Sequence, residues 1–115
     1  MKIAVSSTGP RLDDTVHDLF GRCDFFVIVD TASMESHAVK NPFADAVTGA
    51  GTASVQIIFD EGAKAVISGK VGPNAYEVLT QGEINIFLSP PGVAVREAVT
   101  KYKDGSLLKM ELKRY

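Results

Sequence analysis

A single cysteine, no tryptophan and nearly balanced charge are the most restrictive absences in this chain of 115 residues. One cysteine allows no internal disulfide, and a free thiol suits a reducing compartment. A formal charge of -2 at pH 7 provides no broad basic field, which argues against nucleic acid or an anionic membrane as partner. No apolar run approaches the roughly 18 residues that mark a membrane-spanning helix. Met1-Lys2-Ile3-Ala4-Val5 enters a strand-like run directly, without the apolar core and cleavage site of a signal peptide, so the expected location is the cytoplasm. There is no CxxC or HExxH spacing for a usual zinc site, and no Walker spacing for nucleotide hydrolysis. Internal repeats and low-complexity linkers are also missing, so a single domain over residues 1–115 is expected.

What the chain does have is 45% apolar residues, enough for a core. Ile3-Ala4-Val5 reads as a strand ended by the loop Ser6 to Pro10, and Phe25-Phe26-Val27-Ile28-Val29 as a buried strand ended by Asp30. Ser36 to Lys40 follows as a weaker third strand, completing a meander. The period then changes. Ala53, Ile57, Ile58 and Ala63 mark a helix face over Gly51 to Lys64, with Thr52 as the expected N-cap. Ala65 to Ser68 and Ile84 to Leu88 are strands separated by a helix that opens on Pro73 and runs to Gly82. Val95, Ala98, Val99 and Tyr102 predict a last helix, closed by Asp104-Gly105. The tail Leu107 to Leu112 alternates and is left open between an edge strand and a free end. The resulting order, βββαβαβα, predicts a three-layer α/β fold with a mixed sheet and helices on both faces.

In such a sheet ligands meet the loops beyond the carboxyl ends of the strands, which singles out Ser6–Pro10, Ser68–Asn74 and Ser89–Gly92. Ser6 to Gly9 superficially resembles a flavin phosphate loop, but Pro10 and the polar run after it do not open a long helix. Ser68-Gly69-Lys70-Val71-Gly72-Pro73-Asn74 is richer. Its glycines permit close backbone approach, Lys70 adds a charge, and the following helix start adds a partial one, so an anion would suit it. Cys23 is the softest donor present, and Arg22 beside it is expected to favour the thiolate. A lone cysteine more often packs as a small hydrophobe. His17 lies six positions before Cys23 and is the second candidate donor, whereas His37 on the weak third strand reads as a surface residue. Two donors fall short of a closed mononuclear site, so any metal is expected as a preassembled cluster. Asp13, Asp14, Asp24 and Asp30 could hold a hard cation, but their positions suit caps and strand ends better.

Phe20-Gly21-Arg22 before the Phe25 to Asp30 strand, then Gly49-Ala50-Gly51, then Ile67 through Ala75, resembles the dinitrogenase iron-molybdenum cofactor biosynthesis family over about residues 1–103. The resemblance implies an RNase H-like three-layer fold in the order read above, and the small stand-alone type of member. It places the family's glycine turns at Gly49, Gly51, Gly69 and Gly72. In cofactor-binding members a histidine that can ligate the cluster stands immediately before the Phe-Gly pair; this chain has Leu19 there. The expected function is a non-enzymatic carrier of an iron-sulfur or iron-molybdenum-type cluster or its precursor. Cys23 and His17 are its candidate metal ligands, with Arg22, Lys70, Gly21, Gly69 and Gly72 neutralising and cradling it. The expected partner is the cluster itself or a cluster-assembly protein. The alternative is a protein-interaction or regulatory module without a cluster, in which Cys23 is structural.

Overall fold

A computed structural model describes residues 1–90 and 92–111. Pro91, in the expected loop after the last inner strand, and Leu112, at the end of the alternating tail, lie outside the described residues. Six strands form one sheet: β1 (Lys2–Ser7), β2 (Phe25–Asp30), β3 (Ser36–Lys40), β4 (Ala65–Ser68), β5 (Asn85–Leu88) and β6 (Leu108–Lys109), in the order β3-β2-β1-β4-β5-β6. The expected meander is present, since β1 pairs antiparallel with β2 and β2 with β3. On the other side of β1 the pairing turns parallel, through β4 to β5, because each of those strands is reached through a helical crossover. The open question of the tail resolves as a two-residue edge strand antiparallel to β5.

Strand alternation divides the core between the two faces. Ala4, Phe26, Ile28, Val66 and Ile86 pack under α1 (Ala50–Asp60) and α2 (Pro73–Gln81), meeting Val55, Ile58, Ala75 and Leu79. Ile3, Val5, Val27, Val29, Ala65 and Ile67 point the other way, against Val95, Ala98 and Val99 of α3 (Val95–Lys103). The three-layer arrangement with helices on both faces is therefore the one expected. Full enclosure of a side chain such as Ile3 or Val66 contributes about 1.5–3 kcal/mol.

Two local expectations change. The first helix opens one residue earlier than Gly51, on the N-cap Gly49, and Thr52 lies within its first turn instead of capping it. Gly49 has φ +74°, a left-handed conformation that glycine adopts without strain, and this lets the chain enter the helix abruptly. Between β1 and β2 the chain forms isolated bridges from Ser7 to Val16 and from Leu19 to Lys70, then a 3₁₀ turn over Phe20–Arg22. The Phe20 ring is buried against Phe26 at 5.2 Å between centroids, which fixes that turn to the sheet.

Candidate functional site

Beyond the carboxyl ends of β4 and β5 lies a basin of about 670 Å³. Its walls are residues 19–22, the first turn of α1 from Gly49 to Thr52, the loop and helix start from Gly69 to Ala75, and the side chains of Leu88 and Met110. Backbone bonds join these segments. Gly69 N–H donates to the His17 carbonyl at 3.1 Å, Lys70 N–H to Asp18 at 2.5 Å, and Phe20 N–H back to Lys70 at 2.9 Å. The Leu19–Arg22 segment is thereby sewn alongside the loop that follows β4. Two glycines make that approach possible: a side chain on Gly69 would overlap the Asp18 carbonyl, and one on Gly21 would overlap the Gly51 backbone.

The electrostatics of the basin are one-sided. Two helices begin at it, and neither has a side-chain cap or an acidic residue in its first turn. Intrahelical bonding starts only with Ala53 N–H to Gly49 and Tyr76 N–H to Gly72, so the earlier N–H groups form the partly positive helix ends. Lys70, exposed, and Arg22, half-buried, also line the wall, and among the described residues no carboxylate does. Gly72, unlike Gly21 and Gly69, has no local need to be glycine. Its φ of -67° and ψ of 161° suit any residue, and a Cβ built there meets nothing within 4 Å. A side chain at that position would enter the space in front of α2. Leu19, Phe20, Val71, Leu88 and Met110 give the same lining its large apolar residues.

The sequence-chosen residues divide into two groups. Gly21, Arg22, Gly69, Lys70 and Gly72 come together at the basin. Cys23 and His17 are not among its lining residues. Cys23 is fully enclosed, with its thiol donating to the Phe20 carbonyl at 3.3 Å. Burial pushes that thiol up to about 12, against the lowering effects of a backbone hydrogen bond from Ser7 and the Asn41 side chain. The thiolate expected from the adjacent Arg22 is therefore not favoured. The guanidinium instead reaches the carbonyls of Ala44 and Ala46. His17 is half-buried, and its Nδ1 accepts the Leu19 N–H at 3.0 Å. Among the described residues no group of three or more His, Cys, Asp or Glu side chains is placed to hold a metal ion. His37 is a surface residue, 2.5 Å from Glu61 through Nε2.

Of the three loops singled out in the sequence, the one after β4 lines the basin, and none of the described residues of the other two does. The Ser6–Pro10 loop is closed on itself, with Ser7 Oγ bonded to the Gly9 carbonyl at 2.6 Å and Ser6 Oγ bonded to Ser68 Oγ at 2.7 Å. That arrangement leaves those hydroxyls engaged within the protein. Ser89 Oγ likewise turns to the Pro90 carbonyl. Sequence reasoning from the residues missed the start of α1 as a second positive helix end. The available signal was the absence of any acidic residue from Thr48 to Ala53 beside two glycines. Leu88 and Met110 had no such signal.

Comparison with known proteins adds a family and a set of relatives. A family profile described as dinitrogenase iron-molybdenum cofactor matches residues 1–105. An uncharacterized protein of Methanocaldococcus jannaschii is 31% identical over 114 residues, covering 96% of this chain and 92% of its own. Among solved structures, the apo form of the orange protein from Desulfovibrio gigas superposes with a TM-score of 0.91 at 35% identity, covering 95% of this chain and 92% of that one. A Thermotoga protein named for NifB superposes at 0.83 with 32% identity, covering 98% and 97%.

Proposed function

This chain belongs to the dinitrogenase iron-molybdenum cofactor family, and from that premise we propose that its basin is the receiving site of a non-enzymatic carrier for an anionic metal-sulfur cluster or its precursor. One observation carries the reading: two uncapped helix starts, Lys70 and Arg22 face a basin that no carboxylate of the described residues lines. The sulfide surface of such a cluster is a hydrogen-bond acceptor of diffuse negative charge. Helix N–H groups, an ammonium and a guanidinium complement that charge without coordinating metal. The apolar lining residues cover the remainder of the ligand. Gly72 leaves clear the volume in front of α2.

The cluster is cargo, held by charge and shape instead of by protein thiolates, which agrees with the enclosed position of Cys23. Met110 is among the lining residues, and a thioether is a donor that soft metals accept. The partner in this reading is an assembly protein that delivers or removes the cluster, and the place of action is the cytoplasm. No helix among the described residues is long and apolar enough to cross a membrane.

The test is anaerobic titration with tetrathiomolybdate and, separately, with a synthetic thiolate-ligated cubane iron-sulfur cluster, followed by gel filtration. Expected is charge-transfer absorption that co-elutes with the protein, weakens with salt, and drops in Lys70→Gln while persisting in Cys23→Ala. Absence of co-elution with both probes would refute the carrier reading. The enclosed thiol of Cys23 also suits a protein-interaction module of the same fold, and that second reading gains the ground if both probes fail.

A further inference from the structure

Arg22 connects the basin to a segment outside it. Its Nη1 donates to the carbonyl of Ala44 at 3.1 Å and also to that of Ala46. Nε and Nη2 have no protein partner among the described residues, and Asp45, the carboxylate of that segment, is exposed and makes no ion pair with Arg22. A second anchor lies at the base of the same segment. The buried Asn41 donates to the carbonyls of Gly21 and Cys23 at 3.1 and 3.0 Å and accepts from Phe43 N–H at 3.1 Å. Beyond these anchors the chain runs through Val47, which is 94% exposed, into Gly49 and the first turn of α1 at the basin.

We infer that residues 43–48 form a strap whose order is coupled to occupation of the basin, with Arg22 as the tie. The inference rests on the anionic-ligand reading above. A guanidinium carries five donors in a rigid plane, so one edge can hold the strap while the other edge faces an anion. The strap carbonyls fix the side chain before any ligand arrives, which removes part of the rotamer entropy that an arginine loses on binding. An anion on the free edge holds the guanidinium in the orientation from which Nη1 meets Ala44 and Ala46, so ligand and strap order one and the same side chain. Because coupling between two sites is reciprocal, loosening the strap weakens the ligand by the factor with which the ligand orders the strap.

Hydrogen exchange read by mass spectrometry on the full chain, with and without saturating tetrathiomolybdate, tests this. Exchange over residues 43–48 is expected to slow about fivefold, the low end of ordinary coupling between sites. Arg22→Lys keeps a positive charge but not the planar fork, so the probe is expected to bind about fivefold more weakly, by the same reciprocity, and the protection to disappear even at saturation. Inserting two glycines after Val47 is expected to lower probe affinity by about the same fivefold factor, with circular dichroism confirming the fold. Saturation of the basin with unchanged or faster exchange in the strap, or protection that survives in Arg22→Lys, overturns the strap and leaves the basin reading standing. Failure of the wild-type protein to bind the probe overturns the basin reading and the coupling with it.

Discussion

Replacing Gly72 by aspartate should make the protein more stable and worse at its proposed task. Gly72 is the N-cap of α2, with the extended backbone that an N-cap requires, no side-chain cap bond and open space around a Cβ. Aspartate is among the best N-cap residues and exceeds glycine by a few tenths of a kcal/mol. Its charge at the helix start adds about 0.3–1 kcal/mol, and loss of glycine freedom in the unfolded chain adds about 0.4–1 kcal/mol. Together these give about 1–2 kcal/mol, or roughly 4–8 °C in melting temperature for a domain of this size. The same carboxylate occupies the N–H groups offered to the ligand and repels it. At about 4 Å, two like charges in partly protein surroundings cost up to about 4 kcal/mol. Tetrathiomolybdate affinity should then fall, by up to about a thousandfold at about 1.4 kcal/mol per factor of ten. Thermal melts by circular dichroism and anaerobic titration read the two effects separately. A variant that melts lower than the parent, or that binds the probe equally well, would refute the argument that the cap was left open for an anion.

Leu19→His places an imidazole on the basin wall, where Leu19 is 43% exposed. It should tighten binding of the cubane probe and change its electron paramagnetic resonance spectrum once reduced, while an unaltered spectrum would count against Leu19 facing the ligand. Cys23 gives a pH prediction. Its thiol rises from 9.0 to about 12 in the folded protein, so its stabilisation is complete below pH 9.0 and is lost as the pH climbs toward 12. Urea melts across that window should show a decline in stability that is shallower in Cys23→Ala. Gly21→Ala forces a methyl group into the Gly51 backbone and should cost about 1–3 kcal/mol or more; a melt matching the parent would show that the contact relaxes freely.

Legibility in the sequence followed the range of the interactions involved. Ala65–Ser68 and the Pro73 helix start are fixed by local signals, an apolar run and a proline at the first turn, and both appear where they were expected. The start of α1 shifted because its cap is a glycine with no side-chain oxygen to announce it, while Thr52 has one and sits a turn too late. Cys23 was read through its chain neighbour Arg22, yet the extended backbone after the 3₁₀ turn sends the thiol into the core and the guanidinium to Ala44 and Ala46. Gly21, Gly69 and Gly72 look alike in sequence. Only the folded chain separates two that permit close backbone approach from one that leaves empty space. Leu88 and Met110 reach the basin through tertiary placement that carries no periodic mark.

The switch from antiparallel to parallel pairing at β1 sets a timetable for the growing chain. The first forty residues hold every strand of the meander, whose strand pairing is local, while both of its faces are covered only by helices that follow. The basin draws on five stretches spread from Leu19 to Met110, and β5 gains its outer neighbour only when β6 has been made. The basin is therefore complete only when nearly all of the described chain has been made, and a ligand of the proposed kind would meet a finished protein instead of a growing one.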